Sequence, residues 1–111
     1  MKRTVHSLCL HACSKNDTGT DVTAYIENGI LSVVRTDWGG IAYDYASDGE
    51  IESSLFFDPV HTANLANSLQ AQGDRMLLEK LLKRFGRYGS SAPDEIRRYC
   101  DKKGIAYTTY I

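Results

Sequence analysis

The stretch Asp21-Val22-Thr23-Ala24-Tyr25-Ile26-Glu27-Asn28-Gly29-Ile30-Leu31-Ser32-Val33-Val34-Arg35 decides how this chain folds. Val22, Ala24 and Ile26 alternate with polar neighbours, the two-residue period of a half-buried strand, and Ile30 to Val34 is apolar again. Asn-Gly between two such runs predicts a tight hairpin, because both central residues of a type I′ turn need positive φ and these two residue types tolerate it best. An antiparallel sheet is therefore the frame into which the rest must fit.

Toward the N-terminus, Val5, Leu8, Cys9, Leu10, Ala12 and Cys13 suit another strand, ended by the polar cluster Ser14 to Thr20. In the other direction, after Asp37-Trp38-Gly39-Gly40, Ile41 to Ala46 reads as a strand with Ile41, Tyr43 and Tyr45 on one side and Asp44 on the other. Ser47-Asp48-Gly49 turns the chain into a further strand, Glu50 to Phe57. The period changes at Asp58-Pro59, an N-cap acid before a first-turn proline, which predicts a helix to about Gln72. Asp74 is the expected cap of a second helix with an apolar stripe of Met76, Leu77, Leu78, Leu81, Leu82 and Phe85, closed at Gly86. Past a Tyr88 to Ser90 loop, Ser91 with Asp94 makes a capping-box-like start to a third helix that buries Ile96, Tyr99 and Cys100 and stops at Gly104. Ile105 to Ile111 is a closing strand. The expected fold is α+β: one domain, residues 1–111, with a curled antiparallel sheet of five to six strands, a layer of three helices on one face, and the order β-β-β-β-β-α-α-α-β.

An apolar share of 42% against 24% charged residues is globular composition and excludes a disordered chain. No run approaches the roughly 18 apolar residues a spanning helix needs, so no membrane partner is expected. Met1-Lys2-Arg3 begins like an export signal, but His6, Ser7 and His11 break the apolar stretch of about 7 to 15 residues that such a signal requires. A cytoplasmic location follows, and with it reduced Cys9, Cys13 and Cys100.

Cys9, His11 and Cys13 form a C-x-H-x-C string that resembles a metal site. On a regular strand the three share a face, yet the two thiols then stand roughly 13 Å apart, too far for one ion, so no metal is expected. His6, His11 and His61 titrate in the range useful for general acid–base catalysis, but nothing in the spacing brings two of them together. With no nucleophile elbow or phosphate loop, the chain reads as a non-enzyme without cofactor; a small hydrolase using His11 or His61 is the competing class.

Charge is more informative. The formal net charge is −1. Residues 1–35 hold four basic and three acidic side chains, residues 36–74 hold seven acids and no Lys or Arg, and residues 75–111 hold nine basic and four acidic side chains. Neutrality is thus a cancellation between segments. In the acidic segment Trp38, Tyr43 and Tyr45 lie among Asp37, Asp44, Asp48, Glu50 and Glu52, and aromatic anchors ringed by carboxylates suit a protein interface against a basic partner. The cations Lys80, Lys83, Arg84, Arg87, Arg97, Arg98, Lys102 and Lys103 make helices 75–103 the alternative binding surface, for nucleic acid or regulation. The sequence offers no aromatic stacking platform there, and cations near helix C-termini also serve the helix dipole, so nucleic acid is disfavoured.

From about Asp21 to Tyr110 the chain resembles small bacterial α+β immunity proteins of polymorphic or contact-dependent toxin systems. The features that carry the resemblance are Ile30-Leu31-Ser32-Val33, Asp37-x-Gly39, Tyr43-Asp44-Tyr45, Leu81-Leu82 with Arg84-Phe85-Gly86, Tyr99-Cys100-Asp101 and Gly104-Ile105-x-Tyr107. The resemblance implies a cytoplasmic protein that binds and neutralises one cognate toxin domain, often a nuclease with a basic cleft. Asp37, Trp38, Tyr43, Asp44, Tyr45, Asp48, Glu50 and Glu52 are the expected partner-binding residues, the acids steering and the aromatics anchoring. The chain itself is expected as a monomer or as a homodimer joined through an edge strand.

Overall fold

Asn28 and Gly29 adopt φ of 54° and 78°, the left-handed turn that the sequence requires, and this turn sets the register of everything beside it. The computed structural model describes residues 5–15, 18–39 and 50–110. Five strands, β1 (Val5–Lys15), β2 (Thr18–Glu27), β3 (Ile30–Trp38), β4 (Glu50–Phe57) and β5 (Thr108–Tyr110), form one antiparallel sheet in the order β1-β2-β3-β4-β5. Between β4 and β5 run α1 (Pro59–Ser68), α2 (Asp74–Phe85) and α3 (Ala92–Lys103), with a 3-10 segment, Gly86–Ser91, joining the last two. The fold is α+β. The strand expected at Ile41–Ala46 lies outside the described residues.

Register explains the core. β2 and β3 place Ile26 opposite Leu31 and Ala24 opposite Val33, and β4 then sets Phe57 against Leu31 and Leu55 against Val33. These side chains, with Val22, fall on one face and are all buried. α2 packs on β1 and β2, α1 on β3 and β4, and α3 on β3. Leu65, Leu77, Leu81, Phe85, Ile96 and Cys100 complete the core from the helical side, each large apolar side chain stabilising the fold by about 1.5–3 kcal/mol on full burial. The buried hydroxyl of Thr62 ties α1 to the sheet, donating to the Phe57 carbonyl at 3.1 Å and accepting from the Leu31 N–H at 3.2 Å. The molecule is 22 Å in its shortest dimension, the thickness of one sheet plus one helical layer. Among the described residues no helix packs on the second face of the sheet.

Several boundaries differ from the sequence reading. β1 continues to Lys15 through the polar residues expected to end it, because Cys13, Ser14 and Lys15 pair with Thr20, Gly19 and Thr18. α1 stops at Ser68, not near Gln72: Gln70 turns left-handed at φ 58° and ends the helical path. Gly73, not Asp74, occupies the N-cap of α2, and Asp74 sits in the first turn, where a carboxylate complements the helix dipole. Ser91 caps α3 without a side-chain hydrogen bond. The 3-10 segment, where a loop was expected, leads straight into that helix, and the Ala92 N–H is already satisfied by the Gly89 carbonyl.

Candidate functional site

Alternation along each strand sends the partners of the core residues to the uncovered face. Across β2, β3, β4 and β5 this makes successive rows: Tyr25, Ser32, Phe56 and Thr108, then Thr23, Val34, Ser54 and Tyr110, then Asp21, Thr36 and Glu52, and finally Gly19 with Trp38. The hairpin end is aromatic. Tyr25 and Tyr110 are 41% and 55% exposed, so no described element covers them. Phe56 meets the Tyr110 ring edge-on at 6.1 Å, and Tyr25, Ile30 and Phe56 border a depression of about 270 Å³. Toward the other end the face becomes acidic, with Asp21 and Glu52 in one row. Among its described side chains this face carries no Lys or Arg.

Trp38 is half-buried. Its ring lies directly on the Gly19 backbone, where an added Cβ would stand 2.1 Å from the indole, so only glycine fits beneath it. Glu52 is exposed on the open face, and the backbone of Glu50 pairs with Trp38. Tyr43, Asp44, Tyr45 and Asp48 lie outside the described residues. Asp37 points to the other, helix-covered side, one residue out of phase with Trp38. There the Arg35 guanidinium grips it in a fork, Nε to Oδ2 at 3.1 Å and Nη2 to Oδ1 at 3.2 Å. The Thr20 hydroxyl donates to Oδ1 at 2.6 Å, and Arg35 Nη1 reaches the Ser90 carbonyl at 3.1 Å. Asp37 therefore holds the Arg35 that links β3 to the 3-10 segment, on the opposite face from Trp38 and Glu52.

This polar knot borders a cavity of about 580 Å³ shared with His11, Cys13 and Thr20. The expectation that Cys9, His11 and Cys13 share one face fails. A β-bulge between Cys9 and His11 shifts the register, so Cys9 opposes Thr23 on the open face while His11 and Cys13 oppose Val22 and Thr20 on the covered one. Among the described residues no three His, Cys, Asp or Glu side chains gather as a metal site. The histidines stay apart as well: His6 and His11 are on β1, the latter against Gly89, and His61 is in the first turn of α1. There His61 Nδ1 lies 2.9 Å from Asp58 Oδ2, and its backbone N–H donates to Oδ1 at 2.8 Å. That backbone bond, with the ring contact, holds the Asp58 carboxyl below its ordinary pKa. Burial pushes the Cys100 thiol up to about 12, whereas Cys9 and Cys13 are exposed, and all three are free thiols.

Tyr25, Phe56, Tyr110 and Asp21 were not anticipated as interface residues. The signal was present: Tyr25 and Asp21 sit at the odd positions of a hairpin whose even positions, Val22, Ala24 and Ile26, form the core. No helix among the described residues is long and apolar enough to cross a membrane. No protein-family model, curated protein or solved structure matches this chain.

Proposed function

We propose that this chain is an immunity-type binding protein that docks a cognate bacterial toxin domain on the open face of its sheet and thereby occludes the toxin's active site or substrate surface. The observation that carries the reading is the composition of that face: exposed aromatic rings beside carboxylates, with no cation among its described side chains, on the side of the sheet that no described helix covers. Large aromatic side chains supply buried contact area at low conformational cost, and carboxylates raise the rate of encounter with a cationic surface. The partner is accordingly a basic domain, such as a nuclease whose cleft binds phosphodiesters. Tyr25, Phe56, Tyr110 and Trp38 are the anchors; Asp21 and Glu52 steer. Tyr43, Asp44, Tyr45, Asp48 and Glu50 join them on sequence grounds, whereas Asp37 positions the 3-10 segment through Arg35. Neutralisation by occlusion needs no cofactor, metal or catalytic group of this chain, and it takes place in the cytoplasm.

The test is co-expression with basic toxin domains, nucleases first, followed by calorimetry on the complex. Tyr25→Ala with Phe56→Ala, and separately Glu52→Lys, should weaken binding tenfold or more, in line with hot-spot losses of about 2 kcal/mol. The Glu52→Lys loss should fall mainly on the association rate and shrink at high salt. An unchanged dissociation constant for both variants would remove the open face as the docking surface.

A further inference from the structure

The helical side holds a second surface of opposite charge. Lys80, Lys83, Arg84 and Arg87 recur at three- and four-residue spacing along α2 and into the 3-10 segment, on the flank opposite the buried Leu77, Leu78, Leu81 and Phe85. Arg98 and Lys102 stand four residues apart on α3, with Lys103 next to them. The two rows border two adjoining grooves, one of about 600 Å³ and one of about 660 Å³, and Arg84 and Arg87 line both, so the cationic path is continuous. Glu95 is the one carboxylate along it, and Arg98 occupies that group at 2.6 Å. Among the described residues none of the other six cations has a carboxylate partner. Elsewhere on these helices the pattern differs: Arg75 pairs with Glu79 and Arg97 with Asp94. Six uncompensated cations crowded along one path repel one another and raise a local potential that attracts polyanions.

The same path has aromatic rings. Arg84 lies over the Tyr99 ring at 4.6 Å, and Arg87 lies over Tyr88 at 5.0 Å while donating to its hydroxyl at 2.9 Å. Tyr99 is buried, but Tyr88 is 38% exposed at the groove mouth, leaving ring surface free. A guanidinium stacked on a tyrosine beside a cationic groove is a surface on which a splayed base can stack while the backbone follows the charges. We infer that the α2–α3 groove binds single-stranded nucleic acid, with the phosphodiester backbone along Lys80, Lys83, Arg84, Arg87 and Lys102 and a base on Tyr88. The cations share their groove with the rings of Phe85, Tyr88 and Tyr99, and rings among the charges suit a single strand better than the plane of a bilayer.

The experiment is fluorescence anisotropy with the full chain and 5′-labelled 15-mers of oligo(U) and oligo(dT). Micromolar binding is expected at 50 mM KCl, falling by a factor of roughly 60 at 200 mM, the loss for a log–log salt slope near −3 and four to five phosphate contacts. Lys83→Glu with Lys102→Glu should weaken binding at least tenfold and flatten the slope. Arg75→Glu with Arg97→Glu changes net charge equally outside the path and should stay within twofold. Tyr88→Ala should cost fivefold or more without altering the slope. Thermal melts check that each variant folds, and all five positions are exposed. Absence of binding at 50 mM KCl, equal losses in the two charge-reversal pairs, or binding to phosphatidylserine vesicles in place of the oligonucleotides each overturns the proposal. Tyr25→Ala with Phe56→Ala should leave oligonucleotide binding unchanged, so this surface and the open sheet face stand or fall separately.

Discussion

On β4, Phe57 is fully buried against Leu31 and meets the Tyr107 ring at 6.1 Å, whereas Phe56, one residue earlier, faces outward and touches the edge of Tyr110. The same contrast runs across the whole sheet. One face is closed by Leu65, Leu77, Leu81, Phe85 and Ile96 from the helical layer; the other carries Tyr25 and Tyr110 exposed, with Ile30, Val34 and Phe56 half-buried. Burial alone accounts for the first face, since each apolar side chain removed from water stabilises the fold. It does not account for the second, whose aromatic and branched residues are the ones the proposed docking would bury. Charge divides along the same line, with carboxylates and no described cation on the open face and an uncompensated row of Lys and Arg on the outer side of the helices.

The sharpest way to break this comparison is to truncate the two neighbours separately. Phe57→Ala leaves a cavity in a closed core and should cost about 3–5 kcal/mol in urea denaturation. Phe56→Ala removes a ring from an uncovered surface and should cost less than about 1 kcal/mol, while weakening partner binding. Equal losses would mean that the open face is covered within the molecule, and the division into two surfaces would fail.

A smaller difference separates the two acids expected to act together. Asp37 is gripped by Arg35 and Thr20, although the ion pair is about one-third exposed, so solvent screening holds its contribution to about 1 kcal/mol. Asp37→Asn should therefore lower stability by about that amount, whereas Glu52→Gln, free on the open face, should stay within about 0.5 kcal/mol. Binding should rank them in reverse, with Glu52 the more sensitive. A variant of Asp37 that keeps its full stability but loses the partner would return that residue to the interface.

How much of this was legible in the chain depends on distance along it. The hairpin was legible because Asn28-Gly29 and the alternation of Val22, Ala24 and Ile26 are local, and the helices because their apolar periods and bounding glycines are local too. The bulge at Leu10 was not: an extra residue in β1 leaves no compositional mark, yet it moves Cys9 to the opposite face from His11 and Cys13. Asp37 was read with Trp38 because they are adjacent, but adjacent residues on a strand point to opposite faces, and only the register with Thr20 and the reach of Arg35 reveal the acid's partner. The stacking of Arg84 on Tyr99 depends on two helices meeting across a turn, a contact that no spacing within either helix encodes. The acidic segment was legible as a charge run, but the aromatic end of the open face is assembled from three strands far apart in sequence, and no single window contains it.

The smallest effect tests the step where the chain leaves one face for the other. Asp58 follows Phe57 and caps α1, and the His61 N–H holds its carboxyl below the ordinary value of 3.8. A carboxylate whose folded pKa is depressed binds its proton more readily in the unfolded chain, so its stabilisation is complete above that ordinary value and is lost as pH falls through the lowered one. Asp58→Asn keeps a cap acceptor without the charge. Its melting temperature should lie slightly below that of the parent at pH 7, and the gap should close as the pH is lowered past 3.8. Because Asp58 anchors the helical layer and contributes nothing to the open face, partner affinity at neutral pH should not change. A gap that persists undiminished in acid would show that the cap acts through packing and not through its charge, while a loss of partner affinity would show that the two faces communicate through the β4–α1 junction.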